Sequence, residues 1–328
     1  LRRASTPTRV IPPLSRARRS LFAGFLVCAL TQPLASPTAT GLALVEFGNG
    51  VGPTGQRSEP ACTGSELMEY ASGRLIAAQE GPIGWITFNQ PERLNAVRRD
   101  MWDELPVAVA SLTSNPQIRA IVVKGAGDKA FISGADIAEF DVQRNNAASN
   151  KPFTAAVTAA TASLVEAPLP VIAMINGFCI GGGMVIASAC DIRICAEGSR
   201  FGVPAGKLGL GYELDNLARL QSIVGRGIAM EMLATARHFT AGEALSAGFI
   251  NRVIAANQLE ATVRDMVAMI TTTAPLSFAA AKLASRAAAD PSLEAEAQRA
   301  IDVCFDSEDF QEGRAAFSER RAPVFVGR

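Results

Sequence analysis

The sequence predicts an α/β fold. Short runs rich in β-branched and aromatic residues alternate with helical patterns from residue 73 to about residue 256. Beyond that point the pattern becomes wholly helical. The chain has 328 residues, of which 48% are hydrophobic, so it can bury a substantial core. Together these observations favour a layered α/β core followed by a helical region.

Each element is expected from its own pattern. Apolar runs of five to seven residues predict strands at residues 83–89, 119–124, 170–175 and 191–196. Helical periodicity predicts helices at residues 100–112, 153–166, 183–189, 256–270, 276–288 and 292–304, with a final amphipathic turn after them.

Residues 1–67 have a different composition from the rest. Six arginines precede the first acidic residue, and residues 21–30 form an apolar run that is too short to span a bilayer. A signal peptide and an organelle transit peptide both fit this pattern. We favour upstream sequence translated into protein, because the first methionine of the chain is Met68. On either interpretation residues 1–67 form a poorly ordered extension, followed by a core at 68–258 and a helical region at 259–328.

Charge and composition exclude several classes of function. Basic and acidic residues balance at 31 each, so the net charge indicates neither a nucleic acid nor a membrane partner. The single histidine, His238, argues against a histidine-based triad or a multi-histidine metal site. The six cysteines lack metal-ligand spacing, which favours a reducing compartment. We therefore expect a cytoplasmic protein, or one of an organelle matrix if residues 1–67 are a transit peptide.

The most informative segment is a glycine-rich junction between a strand and a helix. An apolar strand leads through residues 176–180 into Gly181, Gly182 and Gly183, where a helix begins. The first turn of a helix offers unpaired N–H groups, and glycine lets a ligand approach the backbone closely. That geometry suits an oxyanion. A second segment, residues 129–137, follows another apolar strand and offers a second N–H donor from Ala135.

These two segments, in this order, resemble the paired oxyanion-hole motifs of the crotonase (enoyl-CoA hydratase/isomerase) superfamily. Three further stretches agree with the resemblance, at residues 86–96, 239–251 and 308–325. It extends from about residue 68 to residue 328. The resemblance implies a crotonase-like spiral of repeated ββα units. It also implies a helical C-terminal region that forms homotrimers, commonly paired as a dimer of trimers.

The resemblance also implies the chemistry. An acyl group would arrive as a coenzyme A thioester, and the amides of Ala135 and Gly182 would hold its carbonyl oxygen and stabilise an enolate. Coenzyme A is then the carrier of the substrate, and the resemblance implies no further cofactor and no metal. For coenzyme binding it points to the loop with Arg93 and Leu94 and to Phe131 and Ala135, whose backbone groups would contact the coenzyme, and to Lys282 near the phosphates. Arg93 and Lys282 are also open to interpretation as solvated surface charges.

The sequence departs from the family pattern where hydratases carry two glutamates, because Val185 and Ala205 occupy those positions. Neither side chain can move a proton. Glu213 falls where dienoyl-CoA isomerases carry a catalytic aspartate, and Tyr212 falls where methylmalonyl-CoA decarboxylase carries a tyrosine. This favours isomerase-type or decarboxylase-type chemistry. An enoyl-CoA hydratase with a non-standard base and a catalytically silent CoA-thioester-binding protein remain alternatives, and Glu213 could instead cap the helix that begins beside it.

Overall fold

The computed structural model describes residues 67–139 and 144–328. The expectations for residues 1–66 lie outside the described residues. The strands are β1 Leu67–Tyr70, β2 Leu75–Glu80, β3 Ile83–Phe88, β4 Ala120–Gly125, β5 Ala130–Ile132, β6 Val171–Ile175, β7 Phe178–Ile180, β8 Ile192–Ala196, β9 Arg200–Gly202, β10 Phe239–Thr240 and β11 Arg252–Ile254. The α-helices are α1 Arg99–Thr113, α2 Ala147–Glu166, α3 Gly182–Ala189, α4 Leu214–Thr235, α5 Ala241–Ser246, α6 Leu259–Thr271, α7 Pro275–Ala287, α8 Glu294–Asp306 and α9 Glu308–Glu319.

The strands form two sheets. The larger has the order β1-β2-β3-β4-β6-β8-β11, with antiparallel pairing as far as β3 and parallel pairing beyond it. The smaller has the order β10-β9-β7-β5, in which β5, β7 and β9 are parallel. Three successive ββα turns, β4-β5-α2, β6-β7-α3 and β8-β9-α4, each give one strand to each sheet. The predicted α/β spiral with a helical C-terminal region is confirmed.

The parallel part of the larger sheet is buried on both faces. One face, with Ile121 and Val123, packs into the main core together with α1, α2 and α3. The other face, with Val122 and Ile172, packs against Val263 and its neighbours on α6. A strand covered on both sides has a continuous apolar run in its sequence. This is why β3, β4, β6 and β8 could be predicted.

The start of α2 differs from the expectation, and the difference bears on the site. The helix begins at Ala147 instead of Phe153, because Asn146 caps it and forms a reciprocal capping box with Ser149. Pro152 therefore lies inside the helix. The six additional residues include Asn150.

In the described part of the chain no single helix is long and apolar enough to cross a membrane, although the bent pair formed by residues 256–271 and α7, at 104°, meets that requirement when taken together.

Candidate active site

The two sequence segments meet at one edge of the smaller sheet. Strands β5 and β7 are parallel neighbours, so their carboxyl ends lie side by side. The chain leaves β5 at Ile132 and enters the turn 133–136, while it leaves β7 at Ile180 and enters α3 at Gly182. Adjacent strand ends therefore bring Ala135 close to the start of α3, although 47 residues separate them in sequence.

The N–H of Ala135 is left without a partner by the way its turn is held. Val97 donates to the carbonyl of Gly134 at 2.8 Å and accepts from the N–H of Asp136 at 3.0 Å. In an extended segment the N–H of the residue between those two bonds points to the opposite side. Among the described residues no acceptor lies within hydrogen-bonding distance of Ala135 N.

The second N–H belongs to Gly182, the first residue of α3. Gly181 precedes it with φ of 52° and ψ of −105°, a conformation that glycine adopts readily. A first-turn N–H has no partner within its own helix, and no described residue accepts from Gly182 N. A methyl group added at Gly182 would stand 3.4 Å from Ala135 N. The two unpaired amides therefore lie next to each other.

Asp136 braces the turn that carries Ala135. It is 8% exposed, and its Oδ1 accepts from the N–H of Ala138 at 3.1 Å. Its Oδ2 pairs with Arg93 at 3.0 Å and lies 3.7 Å from Arg98. The carboxylate is engaged in holding the loop.

Both amides open onto a cavity of about 170 Å³. Ala135, Gly182, Tyr212 and Glu213 all line it, so the structure brings the four predicted catalytic residues together. Most of the wall is apolar, which suits an acyl group. Its apolar members are Trp102, Ile137, Phe153, Val157, Val185, Val203, Ala205, Leu208 and Leu210.

Val185 and Ala205 face this same cavity. Val185 is 6% exposed and belongs to α3, and Ala205 lies in the short 3-10 helix Pro204–Leu208. The positions identified as lacking carboxylates are therefore in contact with the space a substrate would fill. Neither position supplies a group that can transfer a proton.

Glu213 is held by α2. Its Oε1 accepts hydrogen bonds from Thr154 Oγ1 at 2.8 Å and from Asn150 Nδ2 at 3.1 Å. It occupies the position before the first residue of α4, yet its side chain accepts no N–H of that helix. The interpretation of Glu213 as a helix cap is therefore wrong, because donors from another helix bind the carboxylate.

A cationic side chain, Arg144, and a phenolic side chain, Tyr212, line the cavity beside Glu213. Arg144 lines the cavity, donates from Nε to Asn150 Oδ1 at 2.8 Å and stacks over the ring of Phe153 at 4.5 Å. Burial raises the pKa of the Tyr212 hydroxyl, so this group is a neutral donor at physiological pH. No hydrogen bond joins the Tyr212 hydroxyl to another described residue, so it is available to a ligand.

The loop assigned to coenzyme binding lies next to the site. Leu94 has a positive φ of 52°, and its carbonyl accepts from Ser133 N at 3.0 Å. The side chain of Arg93 is 52% exposed but pairs with Asp136. Arg93 is thus an exposed side chain whose charge is paired with Asp136.

The structure bears on two of the coenzyme assignments. The side chain of Phe131 is fully buried in the main core and does not line the cavity. The expected coenzyme contact at Phe131 involves its backbone, so that assignment stays a prediction. Lys282 is only 9% exposed, so it is not a surface residue. Its Nζ donates to Asp191 at 2.7 Å and to the carbonyls of Leu164 and Leu169 at 3.0 and 3.4 Å, which leaves no ammonium hydrogen for a phosphate.

Burial dominates the acidity of the core cysteines. Burial raises the pKa of Cys190 and of Cys195 to about 12. Thiols with such pKa values stay protonated and unreactive. In residues 67–139 and 144–328 no group of three or more histidine, cysteine or acidic side chains is placed to hold a metal ion.

Sequence analysis missed Arg144, Asn150 and Thr154 as residues of the site. A signal for two of them is present: Asn150 and Thr154 are four residues apart and precede Val157, Ala160 and Leu164 on the buried side of α2. Polar residues that continue an apolar stripe indicate a polar partner at that end of the helix. Because the helix was expected to begin at Phe153, Asn150 fell outside it and the pair with Thr154 was not recognised.

Comparison with known proteins gives a consistent result. The family model described as enoyl-CoA hydratase/isomerase matches residues 78–328. A short-chain-enoyl-CoA hydratase of Clostridium acetobutylicum is 33% identical over 251 residues, covering 75% of this chain and 95% of that protein. A carnitinyl-CoA dehydratase of Salmonella typhi is 32% identical and covers 78% of this chain and 100% of its own length. A crystal structure described as an enoyl-CoA hydratase/carnithine racemase from Magnetospirillum magneticum has a TM-score of 0.74 at 35% identity, covering 79% and 97% of the two chains.

Proposed function

Because this chain belongs to the enoyl-CoA hydratase/isomerase family, we propose that it processes an acyl-CoA thioester through an enolate held by Ala135 N–H and Gly182 N–H. The observation that carries the proposal is the pair of adjacent amides, both without acceptors among the described residues, at the wall of one apolar cavity. Donors placed where negative charge develops stabilise the transition state more than the ground state. Each such donor contributes about 3 to 4 kcal/mol.

Glu213 is the proposed proton-transfer group. It takes a proton from the α-carbon of the acyl group: the C–H bond breaks, its electron pair passes into the enolate, and an O–H bond forms on the carboxylate. Returning that proton to the γ-carbon completes a double-bond migration. A single base is sufficient for this reaction, which agrees with Val185 and Ala205 at the hydratase positions.

Decarboxylation uses the same two amides without a base. Loss of carbon dioxide from a malonyl-type thioester leaves its electron pair in the enolate, and the amides hold the oxygen. Tyr212 would donate a hydrogen bond to the departing carboxylate or protonate the α-carbon. Its raised pKa keeps the hydroxyl protonated, which suits the role of hydrogen-bond donor.

The names of the relatives favour a second candidate, hydration. The proteins from Clostridium acetobutylicum and Salmonella typhi are described as a hydratase and a dehydratase. In this chain Glu213 would then have to activate water, since the hydratase positions hold Val185 and Ala205. Efficient hydration by one carboxylate is disfavoured, because each missing acid or base removes about 10²- to 10⁴-fold of rate.

A panel of thioesters separates these reactions. Purified protein is given crotonyl-CoA to test hydration, 3-butenoyl-CoA to test isomerisation and methylmalonyl-CoA to test decarboxylation. The variants Glu213→Gln and Tyr212→Phe are assayed beside the wild type. We expect Glu213→Gln to lower isomerisation by at least about 100-fold. Unchanged turnover in both variants would remove both residues from the mechanism.

A catalytically silent binding protein makes a different prediction. It would bind butyryl-CoA in calorimetry yet leave the α-protons of that ester unexchanged in heavy water. We expect exchange, followed by proton NMR, and we expect Glu213→Gln to abolish it. Binding without any exchange in the wild type would support the silent protein.

We also propose that the chain assembles as a homotrimer or a dimer of trimers through its C-terminal region. Phe305, Phe310 and Phe317 are 61%, 39% and 88% exposed there, which is unusual for large aromatic residues. Sedimentation velocity tests this, and Phe317→Asp is expected to shift the mass toward the monomer. A monomeric wild type at micromolar concentration would refute it. Coenzyme contacts from the Arg93–Leu94 loop and the cytoplasmic location stay predictions.

A further inference from the structure

Polar side chains of α2 hold the carboxylate of Glu213 in the mostly apolar wall of the cavity. The Thr154 hydroxyl has one hydrogen, and it donates this to Glu213 Oε1 at 2.8 Å. Asn150 Nδ2 donates to the same oxygen at 3.1 Å and to Thr154 Oγ1 at 3.1 Å. Within the described residues, no hydrogen bond reaches Oε2 of Glu213.

The orientation of Asn150 is itself fixed. Its Oδ1 accepts from Arg144 Nε at 2.8 Å, so its NH₂ group is left to face Glu213 and Thr154. Residues 150 and 154 are four apart on one helix, so their side chains point to the same side. Helix α2 thus presents a rigid donor pair to a residue at the start of α4.

We infer that Thr154, assisted by Asn150, is a positioning residue that locks Glu213 Oε1 so that Oε2 is the oxygen that exchanges a proton with the acyl group. This inference rests on the proposed proton-transfer role of Glu213. Hydrogen bonds to an ionised carboxylate are about twice as strong as neutral ones. A glutamate has three rotatable side-chain bonds, and a displacement of about 1 Å from the reacting atom can cost about 100-fold in rate.

The arrangement also explains how the cavity tolerates an acid. A carboxylate against an apolar wall needs donors in place of water. Thr154 and Asn150 supply such donors to Oε1 without adding a charge. The cavity therefore keeps a carboxylate in a wall that is mostly apolar.

The test compares Thr154→Val with Thr154→Ser. Valine keeps the shape of threonine and removes the donor, whereas serine keeps the donor. We expect Thr154→Val to lower kcat for 3-butenoyl-CoA isomerisation, and the α-proton exchange of butyryl-CoA, by about 10- to 30-fold with KM within about twofold. Thr154→Ser should stay within about threefold of the wild type. Asn150→Ala serves as a second variant, with an expected fall of about threefold to tenfold.

A double-mutant cycle distinguishes positioning from a merely structural role. If Thr154 acts through Glu213, then Thr154→Val combined with Glu213→Gln is no slower than Glu213→Gln alone. A further loss of 10-fold in the double variant, or a Thr154→Ser variant as slow as Thr154→Val, would overturn the inference. So would a Thr154→Val variant with wild-type kcat while Glu213→Gln is inactive; that result leaves the proposed function standing. A fully active Glu213→Gln variant overturns the proposed proton transfer and this inference with it.

Discussion

Replacing Lys282 by methionine tests whether this residue holds the fold together or binds coenzyme. Its ammonium donates to Asp191 Oδ2 at 2.7 Å and to the carbonyls of Leu164 and Leu169, at the end of α2 and in the loop after it. Methionine keeps the length and apolar stem of the side chain but removes all three donors. Among the described residues, Asp191 then keeps only the N–H of Val171, at 2.9 Å, as a hydrogen-bond donor.

The magnitude follows from the burial of the pair. Removing one partner of a fully buried ion pair costs about 3 to 5 kcal/mol, because the other charge is left uncompensated. Lys282 is 9% exposed and Asp191 is 23% exposed, so water screens part of that charge. We expect Lys282→Met to lower the free energy of unfolding by about 2 to 3 kcal/mol.

The assay is urea unfolding at fixed protein concentration, since assembly would make stability depend on concentration. Burial raises the pKa of the Asp191 carboxyl, and Lys282 acts in the opposite direction. Without Lys282 that folded pKa lies further above the unfolded value. The variant is then least impaired below the unfolded pKa of aspartate, and its deficit grows as pH rises through the raised folded pKa.

The matched control is the double variant Lys282→Met with Asp191→Asn. Asparagine can still accept from the N–H of Val171 but carries no charge, so we expect at least half of the lost stability to return. KM for acyl-CoA should stay within about twofold in both variants, because the ammonium does not line the cavity. A deficit below about 0.5 kcal/mol, or a large rise in KM at unchanged stability, would refute the structural assignment of Lys282.

Three further outcomes are expected. Gly182→Ala should lower kcat by about 100-fold or more, because its methyl group would stand 3.4 Å from the N–H donor of residue 135. The control is Gly211→Ala on the same cavity wall. Its methyl group would meet nothing within 4 Å, so kcat should hardly change. The double variant Val185→Glu with Ala205→Glu should hydrate crotonyl-CoA faster than the wild type, whereas the matching glutamine pair should not. If the glutamate pair gave no gain, the loss of hydratase activity would not be explained by the two missing carboxylates alone. Hydrogen bonds from the Arg321 side chain and the Val324 N–H lower the pKa of Glu312 to about 2. Above about pH 5 the wild type should therefore have a higher thermal midpoint than Glu312→Gln. The two midpoints should converge as pH falls toward about 2, because the carboxylate becomes protonated. Equal midpoints at neutral pH would contradict that last expectation.

The sequence alone was sufficient for the elements whose signals are local. Strands β3, β4, β6 and β8 of the larger sheet are buried on both faces, so their continuous apolar runs were visible without a structure. The glycines at 181–183 identified the start of α3, because few other residues fit that junction. The very short strands β5, β7, β9, β10 and β11 had too few residues for any periodicity, and they form only because a neighbouring strand pairs with them.

The candidate site divides in the same way. The glycine-flanked segments drew attention to the two amides, and the resemblance of those segments to a known family predicted roles for Ala135, Gly182, Tyr212 and Glu213. The sequence also showed that Val185 and Ala205 carry no acid. It could not show that Thr154 donates to Glu213, because that contact joins residues 59 apart and depends on where α2 crosses α4.

Lys282 shows the limit most plainly. The sequence does not show whether a lysine on a helix faces water, a phosphate or a buried aspartate. Only the packing of α7 against the end of α2 and the start of β8 places Asp191 2.7 Å from Lys282 Nζ and decides between them. Backbone preferences act within a few residues, so the sequence determined the fold and the amide pair. Interactions between charges depend on distances that the tertiary structure sets, so the tertiary structure decided the partners of the charged groups.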